Sequence, residues 1–192
     1  MPFISETRIT NERRSTKSYL SLNESLQRFK NESSIFKTKI FLSHKHDEKE
    51  YLEGAVSLLK TFGVDVYVDW LDEGMPKTTS GETAIRIKDK IRENNKFILL
   101  ATEGAINSKW CNWELGLGDA EKYIDNIALL PVRRSYSDFT GTEYLEIYPY
   151  IFEIVQNQYF NGAYRAQGTY VVYPSLNGNR KLVPISQWLS FR

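Results

Sequence analysis

Between residues 37 and 135, short apolar runs alternate with stretches whose apolar positions recur at helical spacing. Lys39-Ile40-Phe41-Leu42-Ser43 reads as a strand that ends at a polar cluster, His44-Lys45-His46-Asp47. Tyr51, Leu52, Ala55, Val56, Leu58 and Leu59 then share one helical face, and Gly63 stands just past the predicted helix end. Val64-Asp65-Val66-Tyr67-Val68-Asp69 is β-branched at alternate positions and predicts a second strand. A loop rich in Gly, Pro, Thr and Ser runs from Leu71 to Gly81, and Ala84, Ile85, Ile87, Lys88 and Ile91 predict the next helix. Lys96 to Ala101 is a continuous apolar run, as expected of a strand buried on both faces. Ser108 can cap a third helix, and Asn126 to Val132 forms a fourth strand.

This alternation implies an α/β fold with crossover connections and a mostly parallel sheet of four to five strands. In such sheets ligands bind beyond the carboxyl ends of the strands. Those ends are Ser43 to Asp47, Asp69 to Gly74 and Thr102 to Trp110, and all three stretches are polar or contain glycine.

The flanks are built differently. Residues 1–36 read as an N-terminal arm in which Leu20, Leu22, Leu26 and Phe29 sit at near-helical spacing. It is either one helix packed on the body or on a partner, or a loosely held leader. After Arg134 the strand–helix rhythm stops, and residues 136–192 form an aromatic-rich extension around Tyr144, Tyr148, Pro149, Tyr150 and Phe152. There Thr169 to Tyr173 and Lys181 to Pro184 flank Asn177-Gly178-Asn179, which predicts a β-hairpin. A last turn then docks Trp188 and Leu189. The middle segment, residues 37–135, is the expected α/β domain.

Composition narrows the function. The 192 residues suit one domain of ordinary size with short appendages. With 25 basic and 24 acidic side chains the net charge is +1, which lacks the basic excess that nucleic-acid or membrane-surface binding needs. The single cysteine, Cys111, excludes an internal disulfide and a Cys-based metal site, and two histidines alone make a zinc cluster unexpected. The N-terminus lacks a signal-peptide pattern, and no apolar run approaches the roughly 20 residues of a membrane span. A cytoplasmic setting is expected.

No glycine-rich phosphate loop is present; Gly116 and Gly118 lie inside a helical pattern, where close helix packing explains them. Cys111, between Trp110 and Trp113, reads as a buried, inert thiol. His44 and His46 alternate, so on extended backbone they point the same way, either toward a ligand or into solvent. In Ser108-Lys109-Trp110-Cys111-Asn112-Trp113-Glu114-Leu115, Trp110 and Glu114 share a helical face. Lys45, Asp69, Lys77 and Thr102 occupy loops on the same rim. A carboxylate there can bind sugar hydroxyls and stabilise an oxocarbenium-like transition state. The alternative is a surface Glu favoured by the helix dipole.

These residues resemble TIR (Toll/interleukin-1 receptor) domains. Phe41-Leu42-Ser43-His44 is similar to the family's first box, Val66-Tyr67-Val68-Asp69 and the glycine-containing loop to its second strand and BB loop, and the Ser108–Leu115 run to the S-x-W-C-x-x-E-L motif of NAD+-cleaving members. The resemblance covers about residues 37 to 135 and implies a flavodoxin-like fold. It also implies cleavage of the nicotinamide–ribose bond of NAD+, with NAD+ as substrate and no retained cofactor or metal. The family's catalytic glutamate falls on Glu114. Substrate contacts fall on Ser43, His44, Lys45, His46, Asp69, Trp70, Lys77, Ser80, Thr102 and Trp110.

Bacterial proteins of this kind, including the TIR component of Thoeris-like antiphage defence, make a signalling nucleotide for a separate effector. That product is a cyclic ADP-ribose isomer or a base-exchange conjugate. Assembly through TIR surfaces is the further implication, and a non-catalytic scaffold signalling by assembly alone is the alternative. Two departures stand out. Asp72-Glu73-Gly74-Met75-Pro76-Lys77 lacks the Arg-Asp-x-x-Pro-Gly pattern of receptor TIR domains, and Lys45-His46 replaces a paired arginine of some relatives.

Overall fold

Alternation along the strands decides how the layers assemble, because side chains two apart emerge on the same face of a sheet. The structure is a computed structural model that describes residues 4–15, 37–72, 80–133, 143–160, 162–175 and 180–190. In chain order its elements begin with β1 (Ile4–Ser5), α1 (Glu6–Ser15), β2 (Lys39–Ser43), α2 (Lys49–Lys60) and β3 (Asp65–Tyr67). Next come α3 (Gly81–Glu93), β4 (Lys96–Ala101), the single turn α4 (Glu103–Ile106), α5 (Lys109–Glu121) and β5 (Ile127–Arg133). The remainder holds β6 (Tyr150–Ile154), β7 (Gln158–Phe160), β8 (Ala163–Arg165), β9 (Gly168–Tyr173), β10 (Lys181–Pro184) and α6 (Ile185–Ser190).

The main sheet has the order β10-β9-β6-β5-β4-β2-β3. Its five strands from β3 to β6 run parallel, as expected for an α/β fold of the flavodoxin-like kind. β9 and β10 continue it antiparallel, in the predicted hairpin arrangement, with Leu182 opposite Val172. The Asn177-Gly178-Asn179 turn itself lies outside the described residues. β2 sits between β3 and β4, so the chain leaves it in one direction and returns on the other side. Such a reversal opens a crevice at the carboxyl end of the sheet.

Two cores follow from the strand alternation. Ile40, Leu42, Ile98, Leu100, Ala128 and Leu130 face α2, Ile4, Ile9 and the C-terminal Trp188. Phe41, Phe97, Leu99, Ile127 and Leu129 face Ile87 and Ile91 of α3 and Cys111 and Leu115 of α5. Ser43 is in phase with Phe41, which directs it toward α5. Gly118 packs flat on Phe97, where an added Cβ would lie 3.1 Å from the ring, so close helix packing is its role. Gly116 has open space around it.

Three details go beyond the sequence reading. The described part of the N-terminal arm holds a helix at Glu6–Ser15, a polar stretch in which Ile9 is fully buried. The predicted helix around Leu20 to Phe29 is outside the described residues. On α3 the buried face is Thr83, Ile87 and Ile91, one residue per turn, and this spacing rotates Ile85 outward to 65% exposure. Lys96, counted among strand residues, is fully buried; its Nζ donates to Asn126 Oδ1 at 2.6 Å and lies 4.8 Å from the Trp188 ring centre. The first contact ties β4 to the turn before β5, the second to the C-terminal helix.

α1 lies against α2 at Gly54, where a Cβ would meet the backbone oxygen and the side chain of Ile9. Arg13 adds an ion pair to buried Glu53 at 2.7 Å, and the Tyr51 hydroxyl donates to Glu6. Backbone cannot yield as a flexible side chain does, so any side chain at position 54 must push the two helices apart. Gly54→Val is expected to lower stability by about 1–3 kcal/mol, the usual cost of overpacking. Urea unfolding followed by circular dichroism measures it, and an unchanged midpoint would refute this packing.

Candidate active site

Parallel pairing brings the ends of β2 and β3 side by side, with Phe41 opposite Tyr67. The residues just beyond those ends, Ser43 to Asp47 and Asp69, therefore converge. The third contributor is α5, which starts after β4 and is capped by Ser108, whose hydroxyl accepts from the Cys111 N–H at 3.3 Å. Its second turn carries Glu114 to the ends of the strands.

Glu114 is 2% exposed. The Ser43 hydroxyl donates a short hydrogen bond to its Oε2, and the Trp110 indole N–H donates to the same carboxyl. Burial pushes the Glu114 carboxyl well above the ordinary glutamate range, and the nearby negative charge of Asp69 adds to this. The two hydrogen bonds and the charge of His46 pull the other way without overcoming it. The surface-Glu alternative is thereby removed: this carboxyl is held out of water.

Asp69 is itself buried and faces both histidines. His46 Nε2 lies 3.2 Å from Asp69 Oδ2, while His44 Nδ1 lies 3.8 Å from Oδ1 and 3.2 Å from the Leu42 carbonyl oxygen. The two rings stand edge to face at 5.4 Å, in keeping with the alternating positions of the histidines. Their protonation diverges. Burial holds His44 below the usual histidine range, whereas the hydrogen bond to Asp69 raises His46. His44, His46 and Asp69 also form a set of metal-ligand type.

In front of this corner lies a cleft of ≈ 330 Å³ lined by His44, Lys45, His46, Asp47, Ser108, Trp110 and Cys111. Glu114 sits behind that lining rather than on it. Trp110 stacks at a tilt on Trp113, with ring centres 5.0 Å apart, so an aromatic wall flanks the opening. Lys45 is at the mouth, its Nζ 3.1 Å from Asp47 Oδ2. Cys111 lies deeper, where its Sγ donates to the His44 carbonyl oxygen at 3.3 Å and burial raises the thiol to about 11. It is a poor nucleophile but part of the wall.

Two other expected contacts, Thr102 and Ser80, lie off the cleft lining. Thr102 caps α4, accepting from the Ala105 N–H at 3.0 Å while donating to Glu48. Ser80 caps α3 in a reciprocal bond with Thr83. Both hydroxyls are thus committed to helix starts, away from the cleft lining. Trp70 continues the turn after β3, with its side chain outside the described residues, as is Lys77. Sequence reasoning missed Cys111, which it read only as a buried thiol, and also Asp47 and Ser108 as lining residues. The available signal for the last two was their position, one beside Lys45 and His46 and the other at the start of the tryptophan motif.

The TIR domain family matches residues 40–160 of this chain. A Bacillus cereus (strain MSX-D12) protein named "Probable 3' cyclic ADP-D-ribose synthase ThsB'" is 34% identical over 116 residues. That alignment covers 58% of this chain and 59% of the relative, so less than two thirds of the relative's length is spanned. A parallel sheet reversing at β2, with a buried glutamate behind a tryptophan at its carboxyl end, agrees with that match, and the chain belongs to the TIR domain family.

Proposed function

We propose that this protein cleaves the nicotinamide–ribose bond of NAD+ and converts the remaining ADP-ribosyl group into a signalling nucleotide. The carrying observation is the buried Glu114 carboxyl, held by Ser43 and Trp110 behind an aromatic-walled cleft in a TIR domain. The name of the Bacillus cereus relative supports a cyclic ADP-ribose isomer as the product. A base-exchange conjugate is the product if a third molecule attacks instead.

The chemistry suits the corner. As the glycosidic bond breaks, its electron pair neutralises the nicotinamide nitrogen and leaves positive charge on the ribose. An ionised Glu114 beside that sugar stabilises the charge in a low-dielectric site, where the interaction is stronger than in water. The cationic substrate in turn favours the ionised form, so binding releases a proton from Glu114. The attacking group decides the outcome: water gives ADP-ribose, and a nucleophile within the same substrate gives a ring and one proton. Lys45 at the mouth is placed for the diphosphate. Copies of the chain assemble through TIR surfaces, and the nucleotide acts on a separate effector in antiphage defence.

Glu114→Gln is expected to abolish nicotinamide release, followed by chromatography of NAD+ reactions at several protein concentrations. Unchanged turnover in this variant refutes the mechanism, and no turnover by the parent at any concentration favours a scaffold. The same substitution should raise stability. A carboxyl whose folded pKa lies above its unfolded value of about 4.3 weakens the fold as pH rises through the interval between the two. The gain from Glu114→Gln, on the order of 2 kcal/mol at mildly alkaline pH, should therefore vanish near pH 4.

A second test concerns the rate. In EDTA-treated protein kcat/KM should rise with pH, with a midpoint well above the ordinary carboxylate range, because Glu114 must lose its proton. The Ser43 hydroxyl favours the ionised form. Ser43→Ala should move this midpoint further toward alkaline pH, and a midpoint unmoved or shifted to acid pH argues against the Ser43–Glu114 pairing.

A further inference from the structure

We propose that His44, His46 and Asp69 form a binding site for a zinc-class divalent ion, and that Zn2+ bound there holds the enzyme inactive. The inhibitory half rests on the NAD+-cleaving reading; the binding half does not.

Two imidazoles and one carboxylate are a common ligand set for Zn2+, with a fourth position left open. Here one ring nitrogen from each histidine and a carboxylate oxygen of Asp69 all lie within 4.8 Å of one another. One of the separations, 3.2 Å from His46 Nε2 to Asp69 Oδ2, is close to the required spacing. Zinc bonds of about 2.0–2.2 Å place tetrahedral ligand atoms roughly 3.3–3.6 Å apart. Small side-chain rotations close the set.

Three further observations point the same way. His44 is buried, yet its Nε2 has no hydrogen-bond partner among the described residues. A buried ring nitrogen left unmatched is costly, and a metal ion is one partner that removes the cost. The Leu42 carbonyl lies against the other ring nitrogen at 3.2 Å, the type of contact that orients a ligating histidine. Finally, the donors are preorganised, because His44 follows β2 and Asp69 lies just past β3, two paired strands.

The open position faces the cleft, since His44 and His46 are part of its lining. A dication there takes up His46 of the cleft lining and sets positive charge beside the corner where the ribose must become cationic. Both effects oppose cleavage. Cys111 is not assigned as a ligand, because its Sγ is directed to the His44 carbonyl oxygen.

The test uses the full chain, stripped with EDTA and titrated with ZnCl2 against a colorimetric chelator in phosphate-free buffer near neutral pH. One ion per chain with micromolar or tighter affinity is expected. His46→Ala and Asp69→Asn should each weaken binding by at least about tenfold, and Cys111→Ser should not. His46 is largely exposed, so its variant reports on ligation without a burden on folding. The Co2+-loaded protein should show the visible bands of a four-coordinate nitrogen and oxygen site, without an intense thiolate charge-transfer band. Binding no tighter in the parent than in His46→Ala, or lost only in Cys111→Ser, overturns the site. Zn2+ should suppress nicotinamide release by the parent but not the residual release by His46→Ala. Tight binding with undiminished turnover overturns the inhibitory half. Zinc binding without any NAD+ cleavage would instead mean that the functional reading failed.

Discussion

A carboxyl at 2% exposure is unfavourable to ionise unless its surroundings supply what water would have. Around Glu114 the surroundings supply two hydrogen bonds, from Ser43 and Trp110, and place a second buried carboxylate close by. The site is therefore held short of full compensation. That deficit is what a positive charge beside the carboxyl would fill, and in the proposed reaction the nicotinamide ribose supplies it.

The sheet makes this arrangement possible. Ser43 faces Glu114 because it shares a face with Phe41, and that face is covered by α5. Asp69 reaches the same corner because β3 lies beside β2, while α5 follows β4 on the opposite side of the reversal. None of these residues is near another in the chain. The antiparallel strands and α6 extend the far side of the sheet, where Trp188 covers Lys96, and they leave the reactive end open.

The histidine–aspartate cluster adds a second use of the same geometry. Asp69 is close enough to Glu114 to raise its pKa and close enough to both histidines to share their nitrogens. Any ligand or charge that engages Asp69 is felt by Glu114. Under the proposed function, regulation needs no distant site, because the acid beside Glu114 also contacts His46 of the cleft lining.

Much of this was readable in the chain. Alternation and helical spacing located β2, α2, β3, β4, α5 and the C-terminal hairpin, because each follows from a local period imposed by one buried face or two. The tryptophan–glutamate spacing marked the helix that carries the key acid. Only the tertiary structure could decide the rest. Ile85 turns outward because α3 packs through Thr83, Ile87 and Ile91, and a polar N-terminal helix docks because Gly54 lets Ile9 approach. Thr102 and Ser80, polar and on the expected rim, are taken up as helix caps. Whether Glu114 was a solvated surface acid or a buried one depended on Ser43, 71 positions away, and on Asp69. The sequence determines which side chains exist and which faces they prefer; burial and charge coupling arise only when strand order brings distant ends together.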